Sequence, residues 1–133
     1  MAMKREVYKG LEEEALKGMS MEKFMELANS RERRTLKRLS TNVQLKKLIA
    51  KVKEIKAKNP KKVIRTHSRE AVILPEWLGL TFGVHNGKEF KNVPITLEKI
   101  GKRLGDFAHT TGRVLHAGPG IGATRGSKFV AVK

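Results

Sequence analysis

The stretch LTFGVHNGKEFKNVP, residues 80–94, decides the fold, because it contains a strand pattern that runs directly into a turn signal. Phe82 and Val84 alternate with small or polar residues, which is typical of a strand with one buried face. Asn86 and Gly87 follow, and both tolerate positive φ, so this pair is a strong hairpin signal. The sequence therefore predicts an antiparallel β-hairpin.

The loop of this hairpin can have two or three residues, and its length sets the register of the strands. A two-residue loop would place Val84 opposite Glu89. A three-residue loop, residues 86–88, would place Val84 opposite Phe90. We favour the three-residue loop, because a slip of one residue moves side chains to the wrong face of the sheet.

The residues on either side of the hairpin complete a predicted α+β core over residues 63–111. Residues 63–66 favour a short strand, and Pro94 predicts that the return strand lies at a sheet edge or contains a bulge, because proline lacks an N–H. Thr96 is a candidate N-cap for one packed helix, with Gly105 as its left-handed stop. The apolar face of that helix is formed by Leu97, Ile100, Leu104 and Phe107.

Residues 1–62 predict a basic helical extension to this core. Ser20 and Ser30 are candidate N-caps of two short helices, and Ser40-Thr41-Asn42 offers a third cap. Apolar residues then recur at three- and four-residue steps until Pro60 ends the helix. That apolar face comprises Leu45, Leu48, Ile49, Val52 and Ile55.

The charge of the chain is strongly positive and unevenly distributed. Lysine and arginine total 29 of the 133 residues, against 13 aspartates and glutamates, which gives a formal net charge of +16. Residues 1–62 carry 18 basic and 8 acidic side chains, residues 63–115 carry 8 and 5, and residues 116–133 carry 3 and none. Such an excess repels itself unless a polyanion neutralises it, and nucleic acid releases counterions on binding. The composition therefore favours a nucleic-acid partner.

Other classes of function find no support in the sequence. No apolar run approaches the ~20 residues that span a bilayer, and no secretory signal is visible near Met1. The chain has no cysteine, which excludes disulfides and fits a cytoplasmic protein. The four histidines lack metal-site spacing, the glycines at 118–122 lack the Gly-Lys-Ser/Thr ending of a phosphate loop, and no serine-elbow motif occurs. We therefore expect no enzyme activity, cofactor, metal, small-molecule substrate or membrane partner.

A spaced pattern after the hairpin turn resembles that of a known family. Its residues are Asn86-Gly87-Lys88, Ile95, Ile100-Gly101, Leu104-Gly105-Asp106-Phe107 and Thr110. The pattern is similar to that of the universal small-subunit ribosomal protein S-nineteen, called S-fifteen in eukaryotes. Residues 65–69 and 73–76 match the same family, and residues 118–124 look like the archaeal and eukaryotic version of its tail. Trp77 and Glu70 depart from the pattern, since methionine and aspartate are usual there.

The resemblance implies a small α+β core with an antiparallel sheet, in a ribosomal protein of the small-subunit head that binds ribosomal RNA. It also implies pairing with the head protein S-thirteen and a tail directed toward the decoding region and transfer RNA. Beyond Asp106 the chain has no acidic residue, and its glycines fit an extended tail, residues 112–133, that orders on binding. We therefore expect the protein on the cytoplasmic ribosome.

Candidate RNA-binding residues lie on the two basic helices, on the segment before residue 70, in the hairpin turn and in the C-terminal part. The cations of helices 31–38 and 44–58 either contact phosphates or form a solvated face, and the scarcity of acidic partners favours phosphates. Residues 65, 67 and 69 alternate on an extended segment, so they share a face that contacts either RNA or water. The predicted set is Arg31, Arg33, Arg34, Lys37, Arg38, Lys46, Lys47, Lys51, Arg65, His67, Arg69, Asn86, Gly87, Lys88, Lys99, Lys102, Arg103, His109, Thr110, Arg113, His116, Arg125 and Lys128.

Two other functions stay open at this point. A nonribosomal RNA- or DNA-binding protein would use the same positive charge. A protein adaptor would instead dock a partner protein through the apolar face of helix 43–56. That face is formed by Leu45, Leu48, Ile49 and Val52.

Overall fold

A computed structural model describes residues 7–112 of the chain, and this part has an α+β fold, which confirms the predicted class. Four helices precede a small sheet. Their bounds are α1 (Glu13–Lys17), α2 (Met21–Leu27), α3 (Ser30–Lys37) and α4 (Val43–Lys58). The strands are β1 (Ile64–Thr66), β2 (Thr81–His85) and β3 (Phe90–Pro94), and three 3-10 helices lie at Pro75–Trp77, Leu97–Lys99 and Leu104–Phe107. The predicted tail lies, beyond Gly112, outside the described residues.

The sheet has the order β1-β2-β3 and is mixed, so the expectation of a wholly antiparallel sheet is wrong for β1. Strands β2 and β3 are antiparallel, as the hairpin signal predicts. Strand β1 is parallel to β2, because the long connection of residues 67–80 carries the chain back before β2 begins. Pro94 ends β3 at the sheet edge, which confirms the edge placement.

The hairpin loop has four residues, so both predicted registers are wrong. His85 pairs with Phe90, and Val84 pairs with Lys91. The backbone N–H of Asn86 donates to the Glu89 carbonyl at 3.0 Å, and the Asn86 side-chain oxygen accepts from the N–H groups of residues 88 and 89. The Asn86 side chain thus closes the turn by bonding backbone groups further along the chain, which is a known property of asparagine in turns.

Local capping signals set the helix boundaries. The Ser20 hydroxyl accepts from the Lys23 N–H at the start of α2, and the Asn42 side chain accepts from the Leu45 N–H at the start of α4, which confirms both caps. Helix α3 has Asn29 as its N-cap rather than Ser30, so that cap is wrong by one residue. Helix α4 ends two residues before Pro60, as the missing proline N–H predicts.

The single helix predicted after residue 96 is wrong, since two short 3-10 helices occupy this region. Between them Gly101 has φ +73°, whereas Gly105, the predicted stop, has no positive φ. The backbone pairs with a neighbouring segment instead: Gly101 N–H donates to the Ile73 carbonyl, and Leu104 N–H donates to the Ala71 carbonyl. These long-range bonds replace the bonds of a helix.

One hydrophobic core joins the basic helices to the sheet. It contains Leu16 of α1, Phe24 of α2 and Leu36 of α3, together with the large buried side chains of Trp77 and Phe82. The α4 residues Leu45, Leu48 and Val52 are buried in the same core. The proposed adaptor surface is therefore wrong, because most of that apolar face already packs inside the protein.

Gly101 and Gly87 form a matched pair for a stability test. Both have positive φ, but an added Cβ at Gly101 would lie 2.5 Å from the Tyr8 hydroxyl, whereas Gly87 faces open space. We expect Gly87→Ala to cost about 1–2 kcal/mol of unfolding free energy, since only backbone strain is added. Gly101→Ala should cost about 1–3 kcal/mol more for overpacking.

Urea unfolding measures both costs. In the Gly101→Ala background, Tyr8→Phe should recover part of the loss, because it removes the nearest atom. Equal destabilisation by the two glycine variants would contradict this account.

Candidate nucleic-acid interface

Helix α3 presents a row of exposed cations. Arg31, Arg34 and Arg38 are exposed and follow one another at three- and four-residue steps, so they share a helix face. They line a depression of about 260 Å³ together with Thr35 and Arg103. Lys37 is exposed as well and lies beside this row, lining a neighbouring depression with Arg34 and Arg38. The row can contact phosphates because its guanidinium groups are accessible.

Arg33 points into the protein instead. Its Nε donates to the Met25 carbonyl at 3.0 Å, and its Nη2 donates to the carbonyls of Glu26 and Ala28 at 3.1 and 3.0 Å. These carbonyls close the C-terminal end of α2. The Arg33 guanidinium is therefore occupied within the protein. Its Nε and Nη2 have no free N–H to donate to RNA, so these two nitrogens do not support the predicted contact.

Arg103 lies at the edge of the same depression and is held by α3. Its Nη2 donates to the Thr35 hydroxyl at 2.9 Å, and its Nε lies 3.9 Å from Oε1 of Glu32, too far for a hydrogen bond. Glu32 is a buried carboxylate. Removal of either partner of a largely buried charge pair leaves an uncompensated charge, so this pair fixes α3 against the C-terminal segment.

Tyr8 lies close enough to this ion pair for the Glu32 charge to affect the pKa of its phenol. Its backbone forms two 3.0 Å hydrogen bonds with Leu11, and its ring packs 6.3 Å from the ring of Phe24. Burial raises the pKa of the Tyr8 phenol above its ordinary value, and the negative charge of Glu32 raises this pKa further. Both effects disfavour the phenolate. The neutral Tyr8 phenol is therefore the favoured form where its ring packs against Phe24 of α2.

Arg69 joins the hairpin to the C-terminal segment. Its Nη1 donates to the His85 carbonyl at 2.7 Å, and its Nη2 donates to the carbonyls of Gly105 and Ala108. The predicted row of residues 65, 67 and 69 is therefore divided. Arg65 and His67 are exposed, whereas Arg69 is partly buried and bonded internally.

Helix α4 and strand β1 enclose a separate cationic depression, of about 340 Å³. Its lining includes Lys47 and Lys51 from α4 and Arg65 and His67 from the other side. The Lys51 ammonium donates to the Arg65 carbonyl at 3.1 Å, which holds the two walls together. Lys46 is exposed but does not line this depression. The structure therefore brings predicted residues from two elements into one site.

The hairpin turn contributes one free cation. Asn86 closes the turn with its side-chain oxygen, and Gly87 supplies the positive φ of +103°. Lys88 is exposed at the tip. Asn86 and Gly87 thus have a structural role in the described turn, and Lys88 is the side chain positioned for an outside contact.

Two lysines share an aromatic ring near the end of the described chain. The ammonium groups of Lys99 and Lys102 lie 5.3 and 6.0 Å from the centre of the Phe107 ring, within the range of cation–π contacts. Lys99 also donates to the Pro94 carbonyl at 2.6 Å, so its ammonium is partly occupied. His109 and Thr110 are exposed just beyond. Arg113, His116, Arg125 and Lys128 lie outside the described residues.

Two negative findings concern other kinds of site, and both apply to residues 7–112. In that range no group of three or more histidine, aspartate or glutamate side chains could hold a metal ion. No helix there is long and apolar enough to cross a membrane.

Sequence reasoning missed the residues that shape these surfaces. Gly83 of β2 leaves room for the Arg65 stem, because an added Cβ would lie 3.3 Å from Arg65 Cγ. Phe90 and His85 form ring contacts with His67. A glycine within a strand is a signal of close approach, and it could have been noticed. The Glu32–Arg103 pairing carries no local sequence signal.

The fold and these surfaces define a small, basic α+β protein whose cationic faces are fixed by a shared core. A family model described as ribosomal protein S19 matches residues 33–116. Proteins named small ribosomal subunit protein uS19 from three strains of Methanococcus maripaludis are 48%, 50% and 49% identical to the chain over 130, 131 and 131 residues. Each alignment covers 95% of the chain and 80% of the relative.

The chain belongs to the ribosomal protein S-nineteen family, which confirms the resemblance found in its sequence. It is a structural protein of the small ribosomal subunit, on the cytoplasmic ribosome, and not an enzyme. Family membership favours this role over the nonribosomal alternative, which rested on charge alone.

Tyr8 gives a direct spectroscopic test of the packing beside the ion pair. It is the only tyrosine of the chain, so tyrosinate absorbance reports on it alone. We expect a titration midpoint above the ordinary value of 10.0 in the folded protein and a return toward about 10 in denaturant. Because the raised pKa belongs to the folded state, stability is full below pH 10 and falls as pH rises toward the folded pKa.

Glu32→Gln should lower the Tyr8 midpoint without removing the shift, since burial is the larger cause. Tyr8→Phe serves as the control, because it removes the signal. A midpoint at or below 10 in the folded protein would contradict the described packing.

Proposed function

We propose that this chain binds the ribosomal RNA of the small-subunit head by neutralising phosphates and matching the shape of the RNA backbone. The main support for this proposal is a set of exposed cations that lack acidic partners in the described part of the chain. Within residues 7–112 the salt bridges join Lys17 with Glu13 and Arg103 with Glu32. The row Arg31, Arg34 and Arg38 therefore faces outward without a neutralising carboxylate.

The chemistry of these groups suits phosphate. An arginine fork donates two parallel hydrogen bonds to phosphate oxygens, whereas a lysine acts as a mobile point charge. The arginines lie on α3 and the lysines Lys47 and Lys51 on α4, and both helices are anchored by buried leucines. Contacts to phosphate position a protein without reading sequence. Recognition by backbone shape follows, as is usual for RNA helices whose base edges are hard to reach.

The internally bonded arginines support this surface rather than extend it. Arg33 and Arg69 satisfy backbone carbonyls, and Arg103 fixes α3 through Thr35 and Glu32. Further proposed contacts belong to other exposed side chains of α3, α4, the hairpin turn and the segment after Leu97–Lys99. These are Lys37, Lys46, Lys88, Lys102, His109 and Thr110.

The proposal includes two partners beyond head RNA. The family resemblance supports pairing with the head protein S-thirteen and a tail that runs toward the decoding region and transfer RNA. The tail composition fits that role, because the chain beyond residue 106 has no acidic side chain. Its candidate contacts are Arg113, His116, Arg125 and Lys128.

The dependence of binding on salt tests the proposal. If about 6–10 phosphates are contacted, affinity for a head-domain RNA fragment should fall roughly 10³–10⁵-fold between about 50 and 200 mM salt. The combined variant Arg31→Gln, Arg34→Gln and Arg38→Gln should reduce the slope of log affinity against log salt by about 1 per lost contact.

A matched control removes three exposed lysines outside the depressions, Lys23→Gln, Lys61→Gln and Lys62→Gln, and should change this slope much less. Filter binding gives both slopes. A flat salt response of the unmodified protein would overturn the proposal, and equal slopes for the two variants would exclude the α3 row as the contact surface.

A further inference from the structure

The solvent face of the sheet carries a compact cluster of three aromatic rings, each in contact with the other two. The His67 and His85 ring centres lie 4.5 Å apart, those of His85 and Phe90 lie 4.9 Å apart, and those of His67 and Phe90 lie 5.1 Å apart. His67 is exposed, and the other two rings are half-buried. An aromatic group at the surface of so polar a chain is a feature that core packing does not explain.

Strand register builds this cluster. The parallel pairing of β1 with β2 sets Thr66 beside Val84, so the next residues along, His67 and His85, are neighbours on the opposite face. The antiparallel pairing sets His85 opposite Phe90. The three rings therefore come from three adjacent chain segments and meet as a triangle on one face of the sheet.

A backbone contact orients one of these rings. His85 Nδ1 accepts a hydrogen bond from the Gly87 N–H at 3.1 Å, so the hairpin turn holds the His85 ring. Gly83 leaves space for the stem of Arg65, whose guanidinium carbon lies 5.5 Å from the centre of the Phe90 ring. The His67 and Phe90 rings therefore pack against an anchored ring, and a cation lies beside Phe90.

The cationic depression between α4 and β1 adjoins this cluster. Arg65 and His67 belong to both, and Lys47 and Lys51 form the far wall. A phosphate in the depression would thus lie next to a ring surface. A ligand that carries both a phosphate and a flat base is a nucleotide.

We propose that the ring cluster and the adjoining depression bind one unpaired RNA nucleotide, with its base stacked on the exposed His67 ring of the cluster and its phosphate near Lys47 and Arg65. This inference rests on the proposed RNA-binding function and adds a base contact to it. Stacking on aromatic side chains tolerates any base, because every base has a π face. Unpaired bases are the ones that proteins can stack in this way.

An oligoadenylate of about 12 nucleotides, compared with an abasic strand of the same length, separates base stacking from phosphate binding. Fluorescence anisotropy with the full chain at one salt concentration gives both affinities. The unmodified protein should prefer the oligoadenylate by about 5- to 150-fold. His67→Ala should lose most of this preference, whereas Lys61→Gln, which changes an exposed residue outside the depression and the ring cluster, should keep it.

Two further variants separate a ring contact from a structural role. Lys47→Gln should weaken binding of both strands by the same factor and leave the preference unchanged. His67→Trp should retain the preference and add fluorescence that the oligoadenylate quenches. Trp77 is the only native tryptophan and is buried, so it supplies a constant background. If His67→Ala fails to fold, the His67→Trp quenching still decides the question.

Equal affinity of the unmodified protein for the two strands would overturn the inference, as would a preference that survives His67→Ala in a folded variant. Binding of the head-domain RNA fragment is measured in parallel. Loss of the base preference with head RNA still bound removes this inference alone. Absence of head RNA binding with the preference intact removes the proposed function alone.

Discussion

The mutual repulsion of exposed cations that lack acidic partners is the constraint that the rest of the structure must satisfy. A net charge of +16 on 133 residues repels itself, and the described part of the chain offsets little of it through ion pairs. The hydrophobic core must therefore hold like charges close together on α3 and α4. It does so by burying side chains from both helices with the sheet, so the cationic faces keep a fixed shape.

Arginine has two distinct roles in this arrangement. Arg33 and Arg69 direct their guanidinium groups at backbone carbonyls, where several N–H donors on one planar group satisfy several acceptors at once. Arg31 and Arg34 leave the same donors in solvent. The internal arginines hold α2, α3, the hairpin and the C-terminal segment together, and the external ones are free for an anionic partner. Charge alone does not distinguish the two groups.

Local signals in the sequence predicted the elements that depend on neighbours along the chain. Helix α4, its Asn42 cap and the hairpin follow from such signals, and the α3 cations follow from their spacing. The parallel placement of β1 could not be predicted, because it depends on a long crossover. The broken region around Gly101 depends on a bond to Ile73, which no local period reveals. The ring cluster was missed for the same reason, since His67 meets His85 only through the parallel pairing.

A density map of a small ribosomal subunit that contains this chain tests the central claim most directly. The account predicts that the guanidinium groups of Arg31, Arg34 and Arg38 lie within hydrogen-bonding distance of RNA phosphate oxygens, while Arg33 and Arg69 keep their carbonyl partners. A map in which the α3 row faces only solvent or other proteins would contradict the account.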